Sequence, residues 1–249
     1  VGVIAPLSTR VGSSCLLRPL SEVDVTLSAR WHDLVDRLAD GVHLLAVSKG
    51  HPATLIRQLA ELGQQDFGES RLQEALPKLE ALADLKGLRW HFIGRLQANK
   101  VRGVVRSFAV IHSVDSLALA ERISRIAAEE QCCPQVMLQV KFRDDPSKGG
   151  FSQEQLKQAW PDLIQLSHLQ LIGLMTMAPI ELSLEQRQEL FRQCRELADQ
   201  LGLPDCSMGM SGDWLEAMHA GATWLRLGSI LFGARSMAKS SSVDDINAV

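Results

Sequence analysis

The sequence predicts an α/β protein built as a single closed barrel of eight alternating strands and helices, a (β/α)8 or TIM barrel. Short β-branched runs alternate with longer amphipathic stretches eight times along the chain, and this alternation is typical of a parallel sheet. The length of 249 residues is ordinary for one such barrel. No change in composition separates the repeats, so closure is favoured over a doubly wound open sheet, which is the competing architecture.

The strands are predicted from short runs rich in β-branched and apolar residues. An opening helix is expected near Val25–Asp40, and the first strand follows it. In chain order the eight strands are expected at His43–Ser48, Gln65–Gly68, Arg89–Gly94, Ala109–Val114, Gln135–Lys141, Leu171–Met175, Cys206–Met208 and Thr223–Gly228.

The helices are predicted from apolar residues repeated at helical spacing and from their end signals. Pro52 suits the start of the second helix and Gly63 its end. Two further helices open with a serine followed three residues later by a glutamine, the pattern of a capping box. The pairs are Ser152 with Gln155 and Ser183 with Gln186. The remaining helices are expected around Leu72–Leu82, after Asn99, around Leu119–Ile126 and at Asp213–Ala220.

The pattern divides the chain into a barrel and two flanking segments. Residues 1–24 are broken by prolines and arginines, lack the apolar run of a secretory signal, and are expected to be a disordered leader or a misassigned start. Residues 25–237 are expected to form the barrel, and residues 238–249 a flexible tail. No second domain is expected.

Composition excludes several classes of function. The net charge is −3, with scattered Lys and Arg, so no nucleic-acid partner is expected. No apolar run is long enough to span a membrane. The five cysteines are odd in number and match no metal-binding spacing, which predicts free thiols in the cytoplasm and no metal site. A monomer is expected.

Lys49 directly follows the first predicted strand, and functional residues of such barrels lie where strands end. Burial lowers the pKa of an amine, and only the neutral amine attacks a carbonyl. A Schiff base is therefore the natural use of this lysine, although a surface lysine just past a strand is the simpler interpretation.

Two glycine-containing loops follow the seventh and eighth strands, where such barrels often bind phosphate. Gly228 permits close approach of the backbone, and Ser229 adds an amide and a hydroxyl. Ser211 lies in the other loop, where it and Asp213 could instead cap the next helix. Either loop alone is weak evidence, whereas both loops together with a strand-end lysine favour a phosphate-binding site.

Other polar residues allow two interpretations each. Arg226 lies on an apolar strand, and its buried charge needs a partner, either the ring nitrogen of pyridoxal 5′-phosphate (PLP) or a strand-end carboxylate such as Glu69. His91 is either a cofactor contact or, more commonly for a strand histidine, a core group. Met175 and Met177 could cover a flat ring or fill the core. Asn99 and Lys100 could bind an anion or open a helix.

These residues stand within stretches that match a known family. The chain resembles the PLP homeostasis proteins (the YggS/PROSC family) from about Leu27 to Arg235. The matching stretches are Leu45–Lys49, Phe67–Glu69, Trp90–Gly94, Leu96–Gln97 with Asn99–Lys100, Gly173–Met175, Met208–Ser211 with Asp213, and Arg226–Gly228 with Phe232–Arg235. As an ordered set they are specific.

The resemblance implies a barrel like the N-terminal domain of alanine racemase, a fold type III PLP protein. It implies that Lys49 holds PLP covalently, that Arg226 is the partner of the ring nitrogen, and that the phosphate is bound by Ser211, Gly228 and Ser229. Other cofactor-binding residues would be His91 and Met208, which lie within the matching stretches, and Ser70, which directly follows one of them.

The chain departs from the family pattern at two positions. Ser70 replaces the usual asparagine and puts an amide contact to the cofactor there in doubt, whereas Arg95 replaces a proline and changes only the charge of the mouth.

The functions that remain open are a non-catalytic PLP protein, a PLP-dependent amino-acid racemase, and a Schiff-base aldolase acting on a phosphorylated substrate. A racemase of this type needs a tyrosine from an extra β domain, and the chain has no tyrosine. An arginine at the ring nitrogen keeps that nitrogen unprotonated, which weakens the ring as an electron sink. Both points favour a PLP homeostasis protein, with PLP-dependent apo-enzymes as recipients, and a yellow protein would exclude the aldolase.

Overall fold

The computed structural model of the chain describes residues 25–143 and 148–233. Within them, eight strands pair in parallel, each with its neighbour in the chain. In order they are β1 His43–Val47, β2 Asp66–Glu69, β3 Arg89–Phe92, β4 Val110–Val114, β5 Gln135–Gln139, β6 Gln170–Met175, β7 Asp205–Ser207 and β8 Trp224–Leu227. β8 also pairs with β1, with Leu45 opposite Arg226. The barrel is therefore closed, as predicted, and the open sheet is excluded.

Helices alternate with these strands throughout the described ranges. They are α1 Val25–Asp36, α2 Ala53–Glu61, α3 Leu72–Ala81, α4 Val101–Ser107, α5 Leu117–Glu129, α6 Gln153–Leu163, α7 Leu184–Gln200, α8 Trp214–His219 and α9 Ser229–Phe232. A 3-10 turn at Ala98–Lys100 leads into α4. Asn99 and Lys100 therefore open a helix, which is one of the two roles considered for them.

The end signals explain where several helices begin. Pro52 is the N-cap of α2, and both predicted capping boxes form, one at Ser152 of α6 and one at Ser183 of α7. The expected Asp213 cap is different: its carboxylate accepts from Met210 N at 2.6 Å and makes no side-chain cap bond to α8. The side chain therefore holds the preceding loop.

The short helix α9 has no counterpart among the helices predicted from periodicity. It begins directly after Gly228, its N-cap, and four residues are too few to show an amphipathic period. The helix nevertheless packs within the protein, because Arg30 Nε of α1 donates to Leu231 O at 2.6 Å. α1 and α9 therefore cover one side of the barrel together.

The core has two layers because successive strand residues point to opposite faces. On β1, Leu45 belongs to a cluster inside the barrel, while Leu44 and Ala46 belong to the layer between strands and helices. The inner cluster consists of Leu45, Val110, Met137, Ile172, Met175 and Trp224. Among the described residues, no helix is long and apolar enough to cross a membrane. The predicted leader and tail lie outside the described residues.

Candidate functional site

A cavity of about 630 Å³ opens where β1 and β8 end. It brings together six of the residues that the sequence analysis considered. These are Lys49, Met177, Ser211, Arg226, Gly228 and Ser229; the other lining residues are Val47, His51, Ile93, Met210, Gly212 and Gly233. One cavity is thus lined by a strand-end lysine, a buried guanidinium and two loops of small residues.

The turn that carries Lys49 is held on both sides of the lysine. Ser48 Oγ donates to Glu69 Oε1 at 2.7 Å, and Ser48 O accepts from Lys78 Nζ at 3.0 Å. On the other side, Gly50 N donates to a carboxylate oxygen of Glu74. Gly50 has φ of 76°, a left-handed conformation that favours glycine. The backbone of the turn is thereby fixed, and Lys49 projects from it into the cavity.

The buried Glu69 and Lys78 form an ionic cluster with the partly exposed Glu74 behind this turn. Lys78 Nζ lies 2.8 Å from Glu69 Oε1 and 3.2 Å from Glu74 Oε1. Burial raises the pKa of Glu69, against the lowering effects of the bonds from Lys78 and Ser48. Burial also acts to raise the pKa of Glu74, but the bonds from Gly50 and Lys78 outweigh it and lower that pKa.

Another wall of the cavity is built from the loops after β7 and β8. Ser211 Oγ accepts from Ile230 N at 3.4 Å, which ties the β7 loop to the first turn of α9. At Gly228 an added Cβ would lie 3.3 Å from Val47 O, so a glycine lets β8 pass close to the end of β1. This wall therefore offers hydroxyl and backbone donors in the same cavity as Lys49.

Arg226 projects from β8 into the barrel and is only 5% exposed. Its Nη1 donates to Ser207 Oγ and its Nη2 to Thr176 O, both at 2.8 Å. Burial lowers its pKa to about 10, which still leaves the group charged at neutral pH. The alternative pairing with Glu69 is wrong, because Glu69 pairs with Lys78. A guanidinium has five N–H donors, so two bonds do not exhaust it.

Three predicted cofactor-binding residues do not line this cavity. His91 and Met208 are both fully buried; His91 bonds to Asp66 and His112 inside the barrel, and Met208 packs between strands and helices. Ser70 follows β2, where its carbonyl lies beside Gly94. For these three, cofactor binding stays a prediction that the cavity geometry does not favour.

Sequence reasoning missed several cavity residues. His51 lines the cavity two residues after Lys49 and stacks on Phe232 with ring centroids 4.6 Å apart. Its place on the same turn as Lys49 was the available signal. Of the two methionines that the sequence analysis did consider, Met177 lines the cavity, whereas Met175 belongs to the inner core cluster. Contact of Met177 with a flat ring stays a prediction.

Comparison with known families and proteins gives consistent results. The family model of the alanine racemase N-terminal domain matches residues 26–236. The chain is 47% identical over 211 residues to the pyridoxal phosphate homeostasis protein of Synechocystis sp., covering 82% of this chain and 97% of the relative. It is 35% identical over 210 residues to the protein of that name from Escherichia coli K12, covering 82% and 90%.

Solved structures agree with these relatives. PipY of Synechococcus elongatus with PLP bound superposes with a TM-score of 0.80 at 45% identity, covering 83% of this chain and 100% of PipY. Alanine racemase of Clostridium difficile in complex with cycloserine superposes with a TM-score of 0.73 at 16% identity, covering 84% and 60%. The second likeness concerns the fold alone.

Proposed function

Because the chain belongs to the pyridoxal phosphate homeostasis protein family, we propose that it binds PLP in the barrel-mouth cavity, joined to Lys49 as a Schiff base, and serves PLP homeostasis without catalytic turnover. One observation supports this above the others. Lys49, the Arg226 guanidinium and the donors around Ser211, Gly228 and Ser229 meet in one cavity.

The residues of the cavity fit the chemistry of PLP group by group. A phosphate is bound well by hydroxyls and by backbone N–H groups at the first turn of a helix, which the Ser211 and Gly228–Ser229 wall supplies. A pyridine nitrogen can accept a hydrogen bond from a guanidinium, which Arg226 supplies. The aldehyde needs an amine to form a Schiff base, which Lys49 supplies. The 630 Å³ of the cavity lies within the range of small-molecule sites.

PLP supplies an aldehyde for covalent attachment and an electron-withdrawing ring. In our proposal the charged Arg226 donates to the ring nitrogen and so keeps a proton off that atom. The fixed Ser48–Gly50 backbone aims Lys49 across the cavity, and the Ser211 wall holds the phosphate by hydrogen bonds. The apolar lining from Ile93 and Met177 would shield the ring from water.

The absence of turnover is proposed from what the cavity lacks as a catalyst. An unprotonated ring nitrogen stabilises a carbanion poorly, and the chain contains no tyrosine to act as a racemase base. His51 also lines the cavity, two residues after Lys49 in the chain, and a histidine can exchange protons near neutral pH. His51 is therefore the residue to test if any turnover is found.

The covalent link is tested by reduction. We expect the purified protein to be yellow, and borohydride followed by digestion and mass spectrometry to place a pyridoxyl group on the peptide containing Lys49. Lys49→Ala should fold, lose the colour and retain weak binding through the phosphate wall. Lys100→Ala, at the turn before α4, is the matched control and should keep the colour. An adduct on Lys100, Lys141 or Lys148 would contradict the assignment.

Turnover is tested by incubating the PLP-loaded protein with a panel of L-amino acids and following racemisation by chiral chromatography. We expect no rate in the ordinary enzyme range, of roughly 1 per second or more. A rate in that range that disappears in His51→Gln would replace the non-catalytic role with a racemase that uses His51 as its second base. Such a result would leave PLP binding itself intact.

A further inference from the structure

A continuous row of polar side chains runs through the barrel interior to the cavity. Asp66 Oδ1 lies 2.8 Å from His91 Nε2, and His91 Nδ1 lies 2.9 Å from His112 Nε2. His112 Nδ1 lies 2.9 Å from Ser207 Oγ, which accepts from Arg226 Nη1 at 2.8 Å. We call these five residues the interior chain. It begins at the first residue of β2 and ends at the cavity.

The chemistry of its two ends sets the direction of every bond in the interior chain. A guanidinium only donates and a carboxylate only accepts. Ser207 Oγ accepts from Arg226, so its own proton is available for His112 Nδ1. His112 then carries its proton on Nε2 and donates to His91 Nδ1. His91 in turn carries its proton on Nε2 and donates to Asp66.

Burial makes this arrangement a neutral one at both histidines. His91, His112 and Ser207 are fully buried, and burial lowers the pKa of both histidines. Other charged or titratable groups also face them: His43 and Arg89 act on His91, and Arg89 and Arg226 act on His112. Of these, Arg89 and Arg226 disfavour a second positive charge inside the barrel.

We propose that the interior chain works in one direction: it fixes both histidines as the neutral Nε2–H tautomer and holds the charged Arg226 in the orientation that faces the cavity. Every hydrogen bond in the interior chain is donated in the direction from Arg226 towards Asp66, so the bond dipoles are aligned. Each residue between these two ends presents its acceptor atom to the neighbour on the Arg226 side. Asp66, His91, His112 and Ser207 are thus positioning residues that act through Arg226. Their effect on PLP rests on the proposed function, whereas the tautomers of the histidines do not.

The tautomers are read directly from histidine ring nitrogens by 15N NMR of the wild-type protein, with and without PLP. We expect both His91 and His112 to be neutral at pH 7, with the proton on Nε2. Assignment uses His91→Gln and His112→Gln. A proton on Nδ1 of either ring, or a cationic ring at pH 7, would overturn the proposal. This measurement stands even if the protein does not bind PLP.

The coupling to the cavity is tested with the pH dependence of the bound cofactor's absorption. Asp66→Asn keeps an acceptor for His91 but removes the negative end of the interior chain. Loss of this negative charge destabilises protonated, cationic forms of the bound cofactor. The pH midpoint of the cofactor's absorption change should therefore move to lower pH. Asp205→Asn is the matched control: it removes a carboxylate from the first residue of β7, where Asp205 Oδ1 accepts from Thr223 Oγ1, and it should leave the midpoint unchanged.

Ser207→Ala tests whether the effect of Asp66 on the cofactor passes through the interior chain, because this substitution removes the hydroxyl that links Arg226 to His112. In that background Asp66→Asn should move the midpoint by less than half of its effect in the wild type. An equal shift in both backgrounds, an equal shift from Asp205→Asn, or no shift from Asp66→Asn would each overturn the coupling. A colourless wild-type protein would instead refute the proposed function. The histidine tautomers would then be the remaining test of the interior chain.

Discussion

Glu69 is a fully buried carboxylate whose pairing with Lys78 supports the turn that carries Lys49. The side chain of Glu69 is 0% exposed and that of Lys78 only 10%. Removing one partner of such a pair leaves an uncompensated buried charge and costs about 3–5 kcal/mol. Glu69 Oε2 has no hydrogen-bond partner among the described residues, so Lys78 and Ser48 carry its stabilisation.

Lys78→Met should therefore lower the free energy of unfolding, measured by urea denaturation, by about 3 kcal/mol at pH 8. The loss should be smaller at pH 5. Burial already raises the pKa of Glu69, and loss of Lys78 raises it further. An acid whose folded pKa exceeds its unfolded pKa favours folding below the unfolded value, and that stability is lost as pH rises through the folded pKa.

The double variant Glu69→Gln with Lys78→Met separates the buried charge from the loss of packing. It removes the carboxylate, so it should recover part of the stability at pH 8 and show no difference between pH 5 and pH 8 from this site. A double variant as unstable as Lys78→Met at pH 8 would mean that packing of the lysine stem, and not the charge, explains the loss.

At the scale of the elements, the capping box of α7 shows how a local signal stabilises a long helix. Ser183 Oγ accepts from Gln186 N at 3.3 Å, and the Gln186 side chain accepts from Ser183 N at 2.9 Å. α7 buries Leu190, Phe191 and Cys194 against the barrel, so its start needs no support from the cavity. Its stability and the cofactor site should therefore respond independently.

We predict that Ser183→Ala lowers the free energy of unfolding by about 1 kcal/mol, the usual cost of a lost N-cap, and leaves the cofactor's dissociation constant unchanged. Ser183→Asn is the matched control, because asparagine caps as well as serine, and it should restore stability. A change in PLP affinity of Ser183→Ala without a change in stability would link the β6–α7 loop to the site.

At the scale of the whole molecule, α1 packs against α9 on the side of the barrel where the Gly228–Ser229 loop lies. Leu27 and Leu34 of α1 are each 1% exposed, and Arg30 Nε holds the carbonyl of Leu231 in α9 at 2.6 Å. The first described helix is thus part of the barrel's support. Residues 1–24 precede this helix, and the domain boundary at 24/25 is our proposal.

Deletion of residues 1–24 should leave the thermal unfolding midpoint and PLP binding unchanged, because the barrel pattern starts after them. Arg30→Met keeps the length of the side-chain stem but removes the bond to α9. Its loss of PLP-binding free energy should be larger than its loss of unfolding free energy. Both variants are compared by thermal unfolding and by titration with PLP. Loss of soluble protein on deletion would contradict the boundary.

The amino-acid sequence by itself determined the order of the eight strands and identified five polar or glycine residues that line the cavity. Periodic patterns and capping residues act over a few neighbours, so the positions of the strands, and of the helices other than α9, were predictable to within a few residues. Lys49 and the Gly228–Ser229 loop were predictable for the same reason, since each follows a strand directly and parallel strands of a barrel end at one mouth.

Only the tertiary structure decided which polar side chains meet inside the barrel. His91, His112 and Ser207 lie on β3, β4 and β7, and their contacts depend on strand register and on which face each side chain takes. Because a shift of one residue turns a side chain to the opposite face, short runs of letters do not specify such a meeting. The interior chain therefore exists only once eight strands have closed around it.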